Sequence, residues 1–370
     1  MSTRMQTPTQ PAATELARPP EAGKKRRAVR LPEQTLARNV LITAVVALIL
    51  FALSENFDPF TNLRLATVAY YFTALAGLTV LTGLNGQISL GHGALMAVGA
   101  YSTAILVGRS GLPLAAALAA SAAITALVGV AVGAAASRLR GPYLAGATLA
   151  FAIGLPGLAD KYPSAFGGEN GLTVSPPTPP TSLGANFPLE RWQAWISCAC
   201  ALIVFLVLAN LLRSGVGRSF RAVRDDEVAA QLAGLNVARV QVLAFVVSSA
   251  CAGLAGGALV VTTQLAAPGA FQLSLSLALL TGIVLGGLGS LTGALWGALA
   301  LVYLPQWSDD IAHDFSLSTN VQSNLPLALY KIVLIVMIVT TPQKIQNALH
   351  DIVRRSRARL RKNPATQEGA

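Results

Sequence analysis

The chain alternates between long apolar stretches and short polar segments. Two of the apolar stretches contain no Asp, Glu, Lys or Arg: residues 65–108, which are 44 positions, and residues 240–308, which are 69. A helix needs about 20 apolar residues to cross a bilayer, so these two stretches alone hold several crossings. The pattern predicts an all-α, polytopic integral membrane protein.

Dividing the apolar stretches by length gives about ten transmembrane helices. The predicted spans are residues 40–53, 65–83, 88–107, 114–136, 143–159, 192–212, 240–263, 273–285, 291–304 and 325–341. The eighth and ninth spans are separated only by residues 286–290, Gly-Gly-Leu-Gly-Ser. Such a spacing fits either a tight turn between two helices or a broken helix at a transport site.

The basic residues fix the orientation of these spans. They crowd into residues 24–27, 213–239 and 354–362, and Lys and Arg beside spans mark cytoplasmic loops. An even number of spans puts all three basic clusters on the cytoplasmic side, and with them both termini. Residues 1–37 are then a disordered basic cytoplasmic tail and 346–370 a second basic tail, while 38–345 form the membrane domain, with 160–191 as an external loop.

Composition excludes several classes of protein. Only 12% of the residues are charged, about half the share of a soluble domain, so an ordinary soluble enzyme is excluded. The net charge of +11 lies in clusters next to apolar spans, which favours contact with anionic membrane lipid and not with nucleic acid. The distribution is typical of a protein that works in the membrane.

The sequence shows no chemistry of its own for driving transport. Its one Gly-Lys pair, Gly23-Lys24, lacks the rest of a phosphate-binding loop. We find no catalytic cluster, no metal site and no cofactor motif. Lys331 is the one charged residue well inside a predicted span, where it either snorkels to the headgroups or serves in the pore. A partner must therefore supply the energy, or the chain is passive.

One candidate for contact with such a partner is the internal segment 213–239. Asp225 or Asp226 is placed to cap a short helix, Val228, Ala229 and Leu232 form a small apolar stripe, and Gly234 fits the position after the helix end. The segment fits a helix that docks on a partner, and it fits equally a solvated helix within a loop.

A second candidate is the polar, glycine-rich segment 83–101. Asn85, Gln87, Ser89 and His92 fall inside a stretch without charge. Polar side chains in a membrane need partners, and unwound backbone is tolerated there only when it lines protein or water. The segment is either a gate or pathway element, or a tight helix contact whose polar groups pair internally.

These two segments carry a resemblance to a known family. GLNGQISLGHGALMAVGAY (83–101) and GRSFRAVRDDEVAAQLAGLNVARVQVLAFVVSSACAGLAGGAL (217–259) resemble LivM-type permease subunits of branched-chain amino acid ABC importers. The likeness extends over roughly residues 40–345. It departs from the family at Lys331, where an uncharged residue is expected, and at Val228, which loosens the Glu-Ala-Ala motif of the loop.

The resemblance implies a role for each segment. The residues expected to couple the chain to an ATPase are Arg221, Asp225, Asp226, Glu227, Ala229, Ala230 and Gly234. The residues expected in the pathway or gate are Asn85, Gln87, Ser89 and His92. The implied partners are two cytoplasmic ABC ATPase subunits, a second homologous permease subunit and a periplasmic or extracellular solute-binding protein. ATP hydrolysis would then occur on the partner chains, so this chain is not itself an enzyme, and its implied location is the bacterial inner membrane.

Three alternatives stay open at this point. A weakly charged pore suits urea or a short amide as well as a branched-chain amino acid. A self-sufficient secondary carrier or channel would need no ATPase. An enzyme embedded in the membrane would need a nucleophile and base, or a metal cluster.

Overall fold

A computed structural model describes residues 32–139, 142–180, 183–184, 187–314 and 332. The predicted tenth span, with Lys331, lies outside these residues except for Ile332, as do residues 1–31 and the tail 346–370. The α-helices are α1 Pro32–Asn56, α2 Pro59–Leu78, α3 His92–Gly108, α4 Leu114–Ala136, α5 Pro142–Lys161, α6 Pro163–Phe166, α7 Leu189–Leu211, α8 Gly215–Asp225, α9 Glu227–Leu232, α10 Val237–Thr263, α11 Leu273–Gly286 and α12 Leu291–Asp314. A π-helical segment, Thr79–Leu84, extends α2, and 3₁₀ turns occupy Gly168–Asn170 and Pro268–Phe271.

Seven helical segments among the described residues are long and apolar enough to cross a membrane. They are Leu36–Asn56, Pro59–Leu84, Leu114–Ala136, Tyr143–Lys161, Leu189–Leu211, Val237–Thr263 and Pro268–Gly286, and α3 is a shorter apolar helix. The predicted all-α, polytopic membrane protein is thereby confirmed. The count of ten and the sidedness of the termini stay predictions.

Helix α1 begins at Pro32, inside the segment that the sequence assigns to the N-terminal tail. The reason is local. Proline is favourable in the first turn of a helix, and the residues that follow it, Glu-Gln-Thr-Leu-Ala-Arg, are mostly good helix formers. The polar turns therefore extend the apolar helix toward the N-terminus.

Helices α2 and α10 form the centre of the bundle, and most residues of both are buried. α10 packs against α2, α3, α4 and α7. Glycine makes the close approach possible: a Cβ on Gly77 of α2 would lie 2.6 Å from Cys251 Cβ of α10, and small residues are the usual basis of helix packing in lipid. α1 is peripheral and is joined to α7 by a 2.8 Å hydrogen bond from Asn39 to Asn210.

The connecting segments collect at two opposite ends of the bundle. At one end, a two-residue antiparallel ladder pairs Leu172 with Ala266 and Thr173 with Leu265. At the same end, the Arg191 guanidinium donates to the Glu55 carbonyl. The pair α8–α9 lies at the other end, which is the predicted cytoplasmic side.

The third predicted span, 88–107, is wrong at its start. Helix α3 begins only at His92, and residues 86–91 are non-helical. Gly86 has a φ of +76°, a left-handed conformation that ends the helix preceding it. Residues 287–290 form a turn between two separate helices, because α11 ends at Gly286 and α12 begins at Leu291.

Candidate functional site

The segment 213–239 folds into two short helices, α8 and α9, joined at Asp226. Asp226 follows the last residue of α8, and its Oδ1 accepts from the amides of Val228 (2.8 Å) and Ala229 (3.0 Å) at the start of α9. Of the two capping candidates it is therefore Asp226 that caps, which satisfies two amides that a helix start leaves unpaired. Asp225 is the exposed last residue of α8.

Gly234 ends α9. Its φ is +85°, and the Leu235 amide that follows it donates to the Ala230 carbonyl at 3.0 Å. This is the hydrogen bond of a helix terminus closed by a left-handed residue, for which glycine is favoured. A Cβ at Gly234 would meet no atom of the described residues within 4 Å, so the backbone conformation, and not space, requires glycine here.

A small apolar cluster and several polar contacts hold the helix pair against the bundle. Val223 of α8, Ala230 of α9 and Val237 of α10 form the buried cluster. Glu227 Oε1 accepts from Gln241 Nε2 of α10 at 3.0 Å, and the Arg221 guanidinium donates to the Leu212 carbonyl at 2.9 Å. Arg221, Glu227 and Ala230 thus hold the pair in place.

The opposite face of α9 is apolar and uncovered. Val228 is 66% exposed and Leu232, one turn further along, is 86% exposed, and Ala229 between them is also exposed. Large apolar side chains four residues apart occupy one face of a helix. A rigidly held helix that presents such a face has the form of a docking site for another protein.

The second candidate segment runs back along α2 as extended chain. The Gln87 amide donates to the Leu81 carbonyl, whereas His92 Nε2 is 3.0 Å from the Ala74 carbonyl. Ala74 precedes Gly83 by nine residues, or about 13 Å of helix. Asn85 and His92 therefore lie at different depths along one segment and do not form a single cluster.

All four predicted polar residues of this segment are buried. Within the part of the chain that the structure describes, Asn85 Nδ2 and Oδ1, Gln87 Oε1 and His92 Nδ1 have no hydrogen-bond partner. Ser89 Oγ accepts from the Gly91 amide at 3.3 Å. Buried polar atoms without partners are costly, so this segment offers hydrogen-bonding groups to water, to a solute or to a partner chain.

Two residues that the sequence analysis did not single out hold the segment in place. Thr148 Oγ1 of α5 accepts from the Leu90 amide at 3.1 Å, and Ser276 Oγ of α11 accepts from the Gly93 amide at 3.0 Å. Lone hydroxyls on apolar helices usually bond their own backbone, so no local pattern distinguishes these two.

The described residues show no arrangement suited to catalysis by a metal. Among them, no group of three or more His, Cys, Asp or Glu could hold a metal ion. Cys198, Cys200 and Cys251 are buried and free.

A family model described as "Branched-chain amino acid transport system / permease component" matches residues 60–342. The chain belongs to this family. The LivM permease of the high-affinity branched-chain amino acid transport system of Escherichia coli is 31% identical over 298 residues, 74% of this chain and 68% of that protein. LivM of Salmonella typhimurium is 31% identical over 279 residues, 69% of this chain and 64% of that protein. BraD of Pseudomonas aeruginosa is 28% identical over 271 residues, 67% and 85% respectively.

The chain thus spans just under two thirds of the length of the Salmonella relative. No solved structure matches it. The family and the apolar helices confirm the predicted multi-pass permease of the bacterial inner membrane.

Proposed function

We propose that this permease is one of the membrane subunits of an ATP-driven importer of branched-chain amino acids and forms part of its translocation pathway. In this proposal two cytoplasmic ABC ATPase subunits dock on the segment 213–239. A second, homologous permease subunit completes the pathway, and a solute-binding protein delivers the substrate near 160–191. The observation that carries the proposal is the exposed apolar face of α9, Val228 and Leu232, on a helix held in place from behind.

Several features support a protein partner at this face. Apolar groups fixed at the polar end of a membrane protein are unfavourable in water, and a groove on a soluble subunit would remove them from it. α9 has six residues, and a helix of that length is only marginally stable in isolation. The cap at Asp226 and the left-handed Gly234 fix where the helix begins and ends. The relatives are permeases of transport systems for branched-chain amino acids, which supports that substrate class.

The test is co-purification of the ATPase with the permease. The chain is expressed with its natural neighbours and extracted in mild detergent, either native or with Val228→Asp and Leu232→Asp together. The matched control is Ala238→Asp, which adds a carboxylate at an exposed position in the first turn of α10, where negative charge is favourable. The ATPase should accompany the native and control chains and be lost from the double variant.

Uptake measurements identify the solute and separate the alternatives. Labelled leucine uptake by the intact importer should be competed by valine and not by urea; competition by urea instead would favour the short-amide transporter. If the native chain purifies without an ATPase and still moves leucine in vesicles without ATP, it is a carrier or channel, and the importer proposal is wrong.

A further inference from the structure

Arg224, near the end of α8, joins the helix pair directly to the end of α2 and touches the turn that follows it. Its guanidinium Nη1 donates to the carbonyl of Gly83, which lies in the π-helical end of α2, Thr79–Leu84. The stem of the same side chain lies against the turn that follows, since a Cβ on Gly86 would be 3.2 Å from Arg224 Cγ.

The turn between α11 and α12 reaches the same place. A Cβ on Gly289 would lie 3.2 Å from the Gly83 carbonyl oxygen and 3.7 Å from Arg224 Nη1, and a Cβ on Gly83 would be 2.5 Å from the Gly289 amide nitrogen. Three segments therefore meet at one guanidinium: the end of α8, the end of α2 before the non-helical residues 86–91, and the glycine turn 287–290.

An arginine suits this position chemically. The carbonyls at a helix C-terminus carry partial negative charge and lack partners within the helix. A guanidinium has five donors in a fixed plane, so it can hold a carbonyl in one direction, which the single charge centre of a lysine does less well. A side chain anchored in this way transmits displacement of its own helix to the group that it holds.

We propose that Arg224 is the positioning residue that transmits movement of α8 and α9 to the segment 86–91 and to the turn 287–290. This inference rests on the proposed function, since the ATPase would supply the movement. It assigns Arg224 to transmission and not to docking. The attachment of the pair to α10, through Glu227 and Gln241 and through Val237, does not involve Arg224. Removing the guanidinium should therefore leave the ATPase bound and working while transport fails.

The experiment measures leucine transported per ATP hydrolysed by the complete importer in proteoliposomes. The variants are Arg224→Gln, which removes the charge and shortens the reach, and Arg224→Lys, which keeps a charge and a donor. Arg218→Gln is the matched control, because in the described part of the chain the exposed Arg218 on the same helix donates to the Arg213 carbonyl alone, at 3.5 Å. Co-purification of the ATPase is scored in every sample.

We expect Arg224→Gln to keep the ATPase and its basal hydrolysis, and to transport at least tenfold less leucine per ATP. Arg224→Lys should fall between this variant and the native chain, and Arg218→Gln should stay within twofold of native. ATP should change the hydrogen exchange of residues 83–91 in the native complex, and Arg224→Gln should abolish that change. A merely structural role would alter exchange with or without ATP.

Two results would overturn the inference while leaving the proposed function intact. One is a native transport ratio in Arg224→Gln. The other is loss of the ATPase from this variant alone, because Arg224 would then act in docking. If Arg224→Gln does not fold, Arg224→Lys decides the matter, and a native ratio in it overturns the inference. If the native chain itself holds no ATPase, the proposed function and the inference fall together.

Discussion

The close contact between α2 and α10 makes a quantitative prediction for Gly77→Ala. The new Cβ would lie 2.6 Å from Cys251 Cβ and 2.9 Å from the Ser248 carbonyl oxygen. Since apolar carbons rest about 3.5–4.0 Å apart, the two central helices must separate by roughly 1 Å. Overfilling a packed core costs about 1–3 kcal/mol. The upper half of this range applies, because a backbone carbonyl cannot rotate away.

Gly146→Ala on α5 is the matched control. Among the described residues, a Cβ there would meet no atom within 4 Å, so the intrinsic helix preference for alanine over glycine acts, about 0.8–1.0 kcal/mol in favour of folding. This term is common to both variants and cancels in their difference. Gly77→Ala should therefore unfold more easily than Gly146→Ala by about 2–3 kcal/mol, which is roughly 30- to 150-fold in the folding equilibrium.

The assay is unfolding of the purified chain by titration with SDS in mild detergent, followed by helical circular dichroism. Cys251→Gly in the Gly77→Ala chain removes the clashing Cβ and should recover part of the loss. If Gly77→Ala is as stable as Gly146→Ala, α2 and α10 are not in contact at this depth, and the packing described for the centre of the bundle is incorrect.

Two further predictions concern the polar contacts of the membrane domain. Thr148→Val leaves the half-buried Leu90 amide without its acceptor and should destabilise the chain by about 0.5–1.5 kcal/mol in the same titration. Thr281→Val should change stability little, because among the described residues the Thr281 hydroxyl bonds the Leu277 carbonyl of its own helix. Equal effects of the two changes would contradict this role for Thr148. At the start of α2, hydrogen bonds from the Thr61 hydroxyl and amide lower the pKa of Asp58 below 3.8, so its contribution to stability is present above pH 3.8 and lost as the pH falls through the lowered pKa. Asp58→Asn should therefore lose less stability than the native chain between pH 5 and pH 3 in thermal unfolding, and an identical loss would contradict this reasoning.

The sequence by itself locates the helices well, because a membrane helix must be apolar over a length set by the bilayer. Each of the first nine predicted spans coincides with a helix, although 88–107 does so only in part. The ends of α9 are also readable from local chemistry. Asp226 can accept from amides two and three residues ahead, and Gly234 can take the left-handed backbone, whatever surrounds them.

Tertiary structure alone decides which polar groups meet. His92 begins α3 next to Ala74, and the anchors of its segment, Thr148 and Ser276, come from helices far along the chain. In the sequence Arg224 is one basic residue among several in 213–239. Its acceptor is the Gly83 carbonyl, which comes within reach because α8 packs against the end of α2. Local patterns determine how a helix satisfies its own backbone, whereas the partners of a side chain depend on which helices pack together, and glycines distant in sequence set that packing.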